Sequence, residues 1–208
     1  MKFWHQIALI TLCLILSASV VSAQNLLTNP GFNDGYDGWT FFNNAYVEAE
    51  NPLALPAAFI PYEGTHLATM FGNWSGPWNV SGCFQEFPTT AGEAWRMDVF
   101  SKNPGGDPLQ GQNYVIMKLV WFNAANEEIG GVEATVLDSS TPVDVWIDNE
   151  PIIGYAPADC VKVQALLLFL QPNFEGGAGH LDYAELYKSG TVPNESETWG
   201  GIKALFDE

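Results

Sequence analysis

The sequence predicts an all-β domain, an antiparallel β-sandwich of the jelly-roll type, and three observations lead there. Charged residues make up only 15% of the 208 positions, while Gly (20), Pro (13) and aromatic residues (13%) are plentiful. That mixture is poor in long-helix formers and rich in turn formers and strand-filling rings. Between Gln24 and Tyr187, apolar-rich runs alternate with turn-forming clusters. Within the clearest runs the hydrophobic residues recur at every second position, the period of a strand.

Nine strands are expected, at 39–50, 65–71, 83–87, 93–101, 113–123, 127–136, 143–149, 160–171 and 180–187. Their separators carry turn chemistry: Asn33-Asp34-Gly35, Asn51-Pro52, Asn103-Pro104-Gly105-Gly106-Asp107-Pro108, Ser139-Ser140-Thr141-Pro142 and Glu175-Gly176-Gly177. In the 160–171 run, Val161, Val163, Ala165, Leu167 and Phe169 share one apolar face. In the 113–123 run, Val115, Met117, Leu119 and Trp121 do the same, with Lys118 projecting the other way. Trp39, Trp95, Trp121 and Trp146 are expected in the core. No repeat of fixed period is present, which excludes solenoids and propellers.

The two ends read differently from the body. Lys2 gives one positive charge, an apolar run covers 7–16, and Val21 and Ala23 stand at −3 and −1 of a cleavage point before Gln24. Residues 1–23 therefore read as a secretory signal, the apolar run being short of the ~20 residues of a membrane span. The domain is expected at 24–188, secreted to the extracellular space or cell surface, with no transmembrane segment. Residues 189–208 read as an acidic linker and a short amphipathic tail, with Trp199, Ile202, Leu205 and Phe206 at helical spacing after Thr198. Such a tail is a candidate for self-association.

Charge narrows the partners. Lys and Arg number 7 against 24 Asp and Glu, a net −17. A surface this acidic repels phosphate backbones and anionic lipid, which argues against nucleic acid, and it suits divalent cations or neutral hydroxyl-rich ligands. Removal of Cys13 with the signal leaves Cys83 and Cys160. In an oxidising compartment they are expected to form a disulfide, contributing about 4.5 kcal/mol in the chain-entropy account; the alternative is two buried thiols. Catalytic motifs are missing from the sequence: it has no G-x-S-x-G, no P-loop and no H-E-x-x-H. His66 and His180 read as turn or strand-end residues, and the chain is expected not to be an enzyme.

Asn25-Leu26-Leu27-Thr28-Asn29-Pro30-Gly31-Phe32 followed by Trp39, then Glu63-Gly64-Thr65-His66-Leu67-Ala68, Phe84-Gln85-Glu86-Phe87, Ala91-Gly92-Glu93-Ala94-Trp95 and the closing His180-Leu181-Asp182-Tyr183-Ala184-Glu185-Leu186 stand in a known order. The pattern resembles carbohydrate-binding modules of the family four, nine and twenty-two type, jelly rolls of the galactose-binding-like class, over residues 25–187. The resemblance implies non-catalytic binding of a polysaccharide or other glycan. It also implies a structural calcium where the first and last strands meet, with Asn33 and Asp182 as side-chain ligands. The family commonly has Glu where this chain has Asn33, and a second Asp where it has Tyr183.

Sugars stack their C–H faces on flat rings and need amide or carboxylate partners for their hydroxyls. The stretch Phe71-Gly72-Asn73-Trp74-Ser75-Gly76-Pro77-Trp78-Asn79 puts two indoles in a loop of Gly, Pro and Asn. Trp74 and Trp78 are therefore the leading ligand candidates. Gln85, Arg96, Gln112 and Lys118 follow, their strand faces unfixed without a register. Asn73, Asn79 and Asn194 each begin an Asn-x-Ser sequon, and a glycan on either of the first two would crowd this loop. The competing functional reading is a surface or matrix subunit that assembles through the same fold and its tail.

Overall fold

The computed structural model describes residues 24–53, 59–73, 76 and 78–188. The expected signal (1–23), the expected linker and tail (189–208) and Trp74 lie outside the described residues. Among the described residues eleven strands form: β1 (Thr40–Phe42), β2 (Ala45–Ala49), β3 (His66–Phe71), β4 (Asn79–Pro88), β5 (Ala94–Lys102), β6 (Tyr114–Asn123), β7 (Glu128–Asp138), β8 (Trp146–Asp148), β9 (Ile152–Tyr155), β10 (Cys160–Gln171) and β11 (Ala178–Lys188). They pair antiparallel in two sheets, sheet A in the order β1-β4-β10-β6-β7 and sheet B in the order β2-β3-β11-β5-β8, with β9 also on β5. From β3 to β6 the chain crosses between the layers at each connection, the winding of a jelly roll. Among the described residues no helix is long and apolar enough to cross a membrane.

The expected first strand is broken in two. Asn43 adopts φ 54°, a left-handed turn that Asn tolerates, and its side-chain amide donates to the Val80 carbonyl at 2.6 Å. The chain thereby passes from sheet A to sheet B between β1 and β2. The unexpected β9 is an edge strand of only four residues, too short to show alternation, whose Ile153 and Tyr155 face solvent.

Alternation elsewhere holds. Val163, Ala165, Leu167 and Phe169 of β10 and Val115, Met117, Leu119 and Trp121 of β6 are buried between the sheets. Val161 departs from its expected face and is exposed, because the β6–β10 register shifts between Cys160 and Lys162. Trp95 is buried against Phe87, and its Nε1 donates to the Thr89 hydroxyl at 2.8 Å. Trp39 and Trp121 also lie in the core. Trp146 does not: it stands half-buried on the outer face of sheet B, with Lys102 Nζ 4.8 Å from its ring centre.

The expected disulfide is absent. Cys83 faces Leu167 across the β4–β10 pair, and Cys160 stands seven positions earlier on β10. At about 3.3 Å per residue the two are roughly 23 Å apart along the strand, where a disulfide needs Cα atoms within about 7 Å. Both cysteines are free and buried, and burial pushes the Cys83 thiol well above its ordinary value. Cys83 serves as a small core hydrophobe.

A segment ahead of β3 straps the outer face of sheet B. Phe59 stacks on His180 at 5.4 Å, Tyr62 stacks on Phe100 at 3.7 Å, and the Ile60 carbonyl accepts Lys102 Nζ at 2.8 Å. Where the segment 25–30 runs beside β11, Leu26 N–H donates to the Leu186 carbonyl and Ala184 N–H to the Pro30 carbonyl. Asn25 adds bonds to Ala184 and Leu186.

Candidate ligand pocket at the loop end

Three segments meet at one end of the sandwich: 72–73 after β3, the loop 103–113 between β5 and β6, and the loop 172–177 between β10 and β11. Their turn residues are laced together by amides. Asn103 accepts Leu109 N–H at 2.9 Å and donates to the Thr141 carbonyl at 2.9 Å. Asn113 donates to the Glu175 and Gly176 carbonyls, and Gln112 N–H reaches the Glu175 carboxylate at 2.6 Å. Asn173 donates to the Gln112 side chain at 2.8 Å. Gly177 allows the closest approach: it has φ 111°, and a Cβ there would lie 2.5 Å from the Pro108 carbonyl oxygen.

The loops enclose a pocket of about 170 Å³ lined by Phe71, Gly72, Asn73, Asp107, Phe174, Glu175, Gly176 and Gly177. Phe174 is 62% exposed, and Trp78, one residue before β4 and beside the Asn79–Gln171 pair, is 60% exposed. The Gln171 side chain binds the loops from below, accepting Asn73 N–H at 2.9 Å and donating to the Glu175 carbonyl at 3.2 Å. Asp107 is half-buried, and burial pushes its carboxyl above its ordinary value with no basic group holding it down. Its main chain is fixed by Ala178 N–H at 2.9 Å. The result is an open carboxylate beside two phenyl rings, able to accept hydroxyls while a ring stacks alongside.

Of the residues expected to touch ligand, the fold brings Trp78 and Gln112 to this end. Gln85 is buried in β4 and exchanges both amide atoms with the Thr28 backbone, accepting at 3.0 Å and donating at 2.7 Å. It clamps the amino-terminal segment and offers nothing to a ligand. Arg96 lies on the outer face of sheet B, paired with Asp98 at 2.6 Å and over the Tyr187 ring. Lys118 lies on the outer face of sheet A, paired with Glu133 at 3.0 Å. Sequence reasoning missed Asp107, Phe174, Phe71 and Glu175. The signal for Phe174 was present, since it is an aromatic in a turn ahead of Glu175-Gly176-Gly177, the same pattern that singled out Trp78.

The expected calcium position fits a cation poorly. Asp182 is fully buried, but both its oxygens face N–H donors: Tyr62 at 2.8 Å and Glu63 at 3.1 Å on one, Tyr183 at 2.7 Å on the other. The Asn33 carbonyl oxygen accepts Thr65 N–H at 2.6 Å, and its NH₂ turns inward toward Gly31. Gly64, at φ 65°, leaves room for that amide, which a Cβ would overlap. A calcium ion needs six to eight oxygens. Among the described residues no group of three His, Cys, Asp or Glu side chains is placed to hold a metal. Burial first, and the Glu63 charge in addition, push the Asp182 carboxyl up to about 6 against the pull of its three backbone donors.

No protein-family model and no curated protein matches this sequence. Solved structures share the fold. A cyclase from Fischerella sp. TAU superposes with TM-score 0.55 at 14% identity, over 80% of this chain and 96% of that one. Tailspike protein 4 of bacteriophage CBA120 gives TM-score 0.53 at 7% identity, over 79% of this chain. The CBM22-1–GH10 modules of Clostridium thermocellum endo-1,4-β-D-xylanase 10B, complexed with xylohexaose, give TM-score 0.51 at 15% identity over 82% of this chain. This chain spans 21% of the tailspike and 30% of the xylanase fragment. The architecture is thus the β-sandwich jelly roll found in carbohydrate-binding modules, and identities this low establish the fold alone.

Proposed function

We propose that this domain is an exported, non-catalytic carbohydrate-binding module whose ligand sits in the loop-end pocket. The observation that carries the reading is the open Asp107 carboxylate set in one pocket with the exposed Phe174 ring. Phe174 and Trp78 supply the flat faces on which C–H groups stack. Asp107 accepts hydroxyls, and the Asn73 and Gln112 loops bring amides to the rim. The net charge of −17 suits an uncharged ligand.

Catalysis finds little to work with. His180 is buried, and His66 is held by the Thr65 hydroxyl at 2.9 Å. The carboxyl pair Asp98–Glu185 faces directly across β5 and β11, with Arg96 on Asp98. A glycosidase instead holds its two carboxyl groups about 5 to 9.5 Å apart around the scissile bond.

A broad glycan array probed with the wild type and with Phe174→Ala, Trp78→Ala and Asp107→Ala tests the reading. Stacking contributes about 0.5–1.5 kcal/mol per ring and a bond to a charged acceptor about 1.5–3 kcal/mol. Asp107→Ala should therefore lose roughly tenfold to a hundredfold in affinity, and each ring variant less. A wild type that retains no glycan on the array would reject the reading.

A further inference from the structure

A sugar chain lying lengthwise on a sandwich needs free hydrogen-bonding groups along a sheet face, and the outer face of sheet A does not offer them. Lys118 Nζ is paired with Glu133 at 3.0 Å, and Lys162 Nζ is held by Glu86 at 2.9 Å and Asn126 at 2.8 Å. Between these pairs the face is apolar, with Leu166 between Phe84 and Lys118 and Leu168 opposite Ile116. A glycan stretched there would meet methyl groups at its hydroxyls and would have to break ion pairs that already satisfy each other.

The loop-end pocket differs in size and access. At about 170 Å³ it is smaller than the roughly 300–1,000 Å³ of pockets that enclose drug-sized ligands. Its lining comes from the end of β3 at Phe71, the β5–β6 loop at Asp107 and the β10–β11 loop at 174–177. One pyranose or furanose ring is the unit such a space takes. Its lining consists of the acids Asp107 and Glu175, glycine backbone, the Phe71 and Phe174 rings and Asn73. With two carboxylates in the lining, a uronate or sulfated ring would be repelled.

Resting on the carbohydrate reading, we propose that this pocket takes one neutral sugar ring presented at a chain end, or the same ring free, and does not read the rings beyond it. Asp107 accepts its hydroxyls and Phe174 carries the ring face. Isothermal calorimetry of the full chain tests this, using methyl glycosides of galactose, glucose, mannose, xylose and glucuronic acid, and β-1,4-linked ladders of two to six rings of each neutral sugar. The expected result is an affinity that varies by less than threefold from two to six rings, falls at least tenfold in Asp107→Asn and falls severalfold in Phe174→Ala. Leu168→Lys, on the outer face of sheet A, should leave it unchanged, and the glucuronide should bind at least tenfold more weakly than the glucoside. A methyl glycoside as tight as its hexamer identifies the free ring as sufficient; binding that begins at two rings and stays flat identifies the chain end. Affinity that climbs tenfold between two and six rings and is lost in Leu168→Lys overturns the end-on inference while the carbohydrate reading stands. No heat with any ladder overturns both. Phe174 is exposed and Asp107→Asn keeps its shape, so loss of binding with an unchanged melting temperature is not loss of fold.

Discussion

The Asp182 carboxylate accepts the Tyr62 N–H at 2.8 Å, tying the strap over sheet B to a fully buried acid in β11. The strained backbone of Tyr183, at φ 45° in the β11 irregularity, turns its own N–H onto the same carboxylate. This acid therefore anchors the strap and the last strand together.

That anchor gives stability an unusual pH dependence. Burial pushes both Asp182 and Asp98 up from 3.8 to about 6. A carboxyl raised in the fold contributes stability that is complete below its unfolded value and is lost as pH rises through about 6. His180 works the other way: burial lowers it from 6.5 to about 3, so its contribution is present above 6.5 and is lost as pH falls. Two groups against one leave a net gain on acidification from pH 7 to 5, on the order of 1 kcal/mol. Thermal melts across that range should show a rising midpoint, flattened by Asp182→Asn in proportion to the fraction that still folds. A midpoint falling steadily from pH 7 to 5 contradicts the assignment.

His180 is a buried cost in its own right. Its side chain is fully enclosed under Phe59, and neither ring nitrogen has a hydrogen-bond partner. Replacing an unsatisfied buried polar group by an apolar one of similar size removes a penalty of about 1–3 kcal/mol. His180→Leu should raise the urea midpoint accordingly at neutral pH; a lowered midpoint would mean that the imidazole has a structural partner.

Calcium should not matter to the fold. With the Asp182 oxygens and the Asn33 carbonyl engaged by N–H donors, the melting temperature should be the same in excess chelator and in millimolar calcium. A rise of several degrees with calcium would show that these donors give way to a cation.

Reductant should be equally silent. Thiol titration of residues 24–208 in denaturant should count two free thiols, Cys83 and Cys160, and dithiothreitol should leave the melt unchanged. A chain with no titratable thiol would reverse the strand register between β4 and β10.

What the sequence made legible was local. Period-two alternation in β6 and β10 named the core residues Val115, Met117, Leu119, Val163, Ala165, Leu167 and Phe169, because each strand packs one face on the core. Register was not legible, and neither were the cross-strand partners that depend on it. Cys83 and Cys160 looked like a bridge until pairing set them along neighbouring strands. Gln85 and Arg96 looked like ligand contacts until pairing gave one to Thr28 and the other to Asp98. Asp107 and Phe174 lie far apart in the chain and meet only because the β5–β6 and β10–β11 loops share an end of the sandwich. Within its own stretch Asp107 reads as a turn residue between Gly106 and Pro108, which it also is.

The central claim is that a sugar ring binds between Asp107 and Phe174. Its most direct test is a backbone amide NMR titration of the full chain with the methyl glycosides and two-ring sugars. The account predicts saturable shifts concentrated at 71–73, 105–112 and 173–178, abolished by Asp107→Asn. Shifts confined to β6 and β10 on the outer face of sheet A, or none with any sugar, would contradict it.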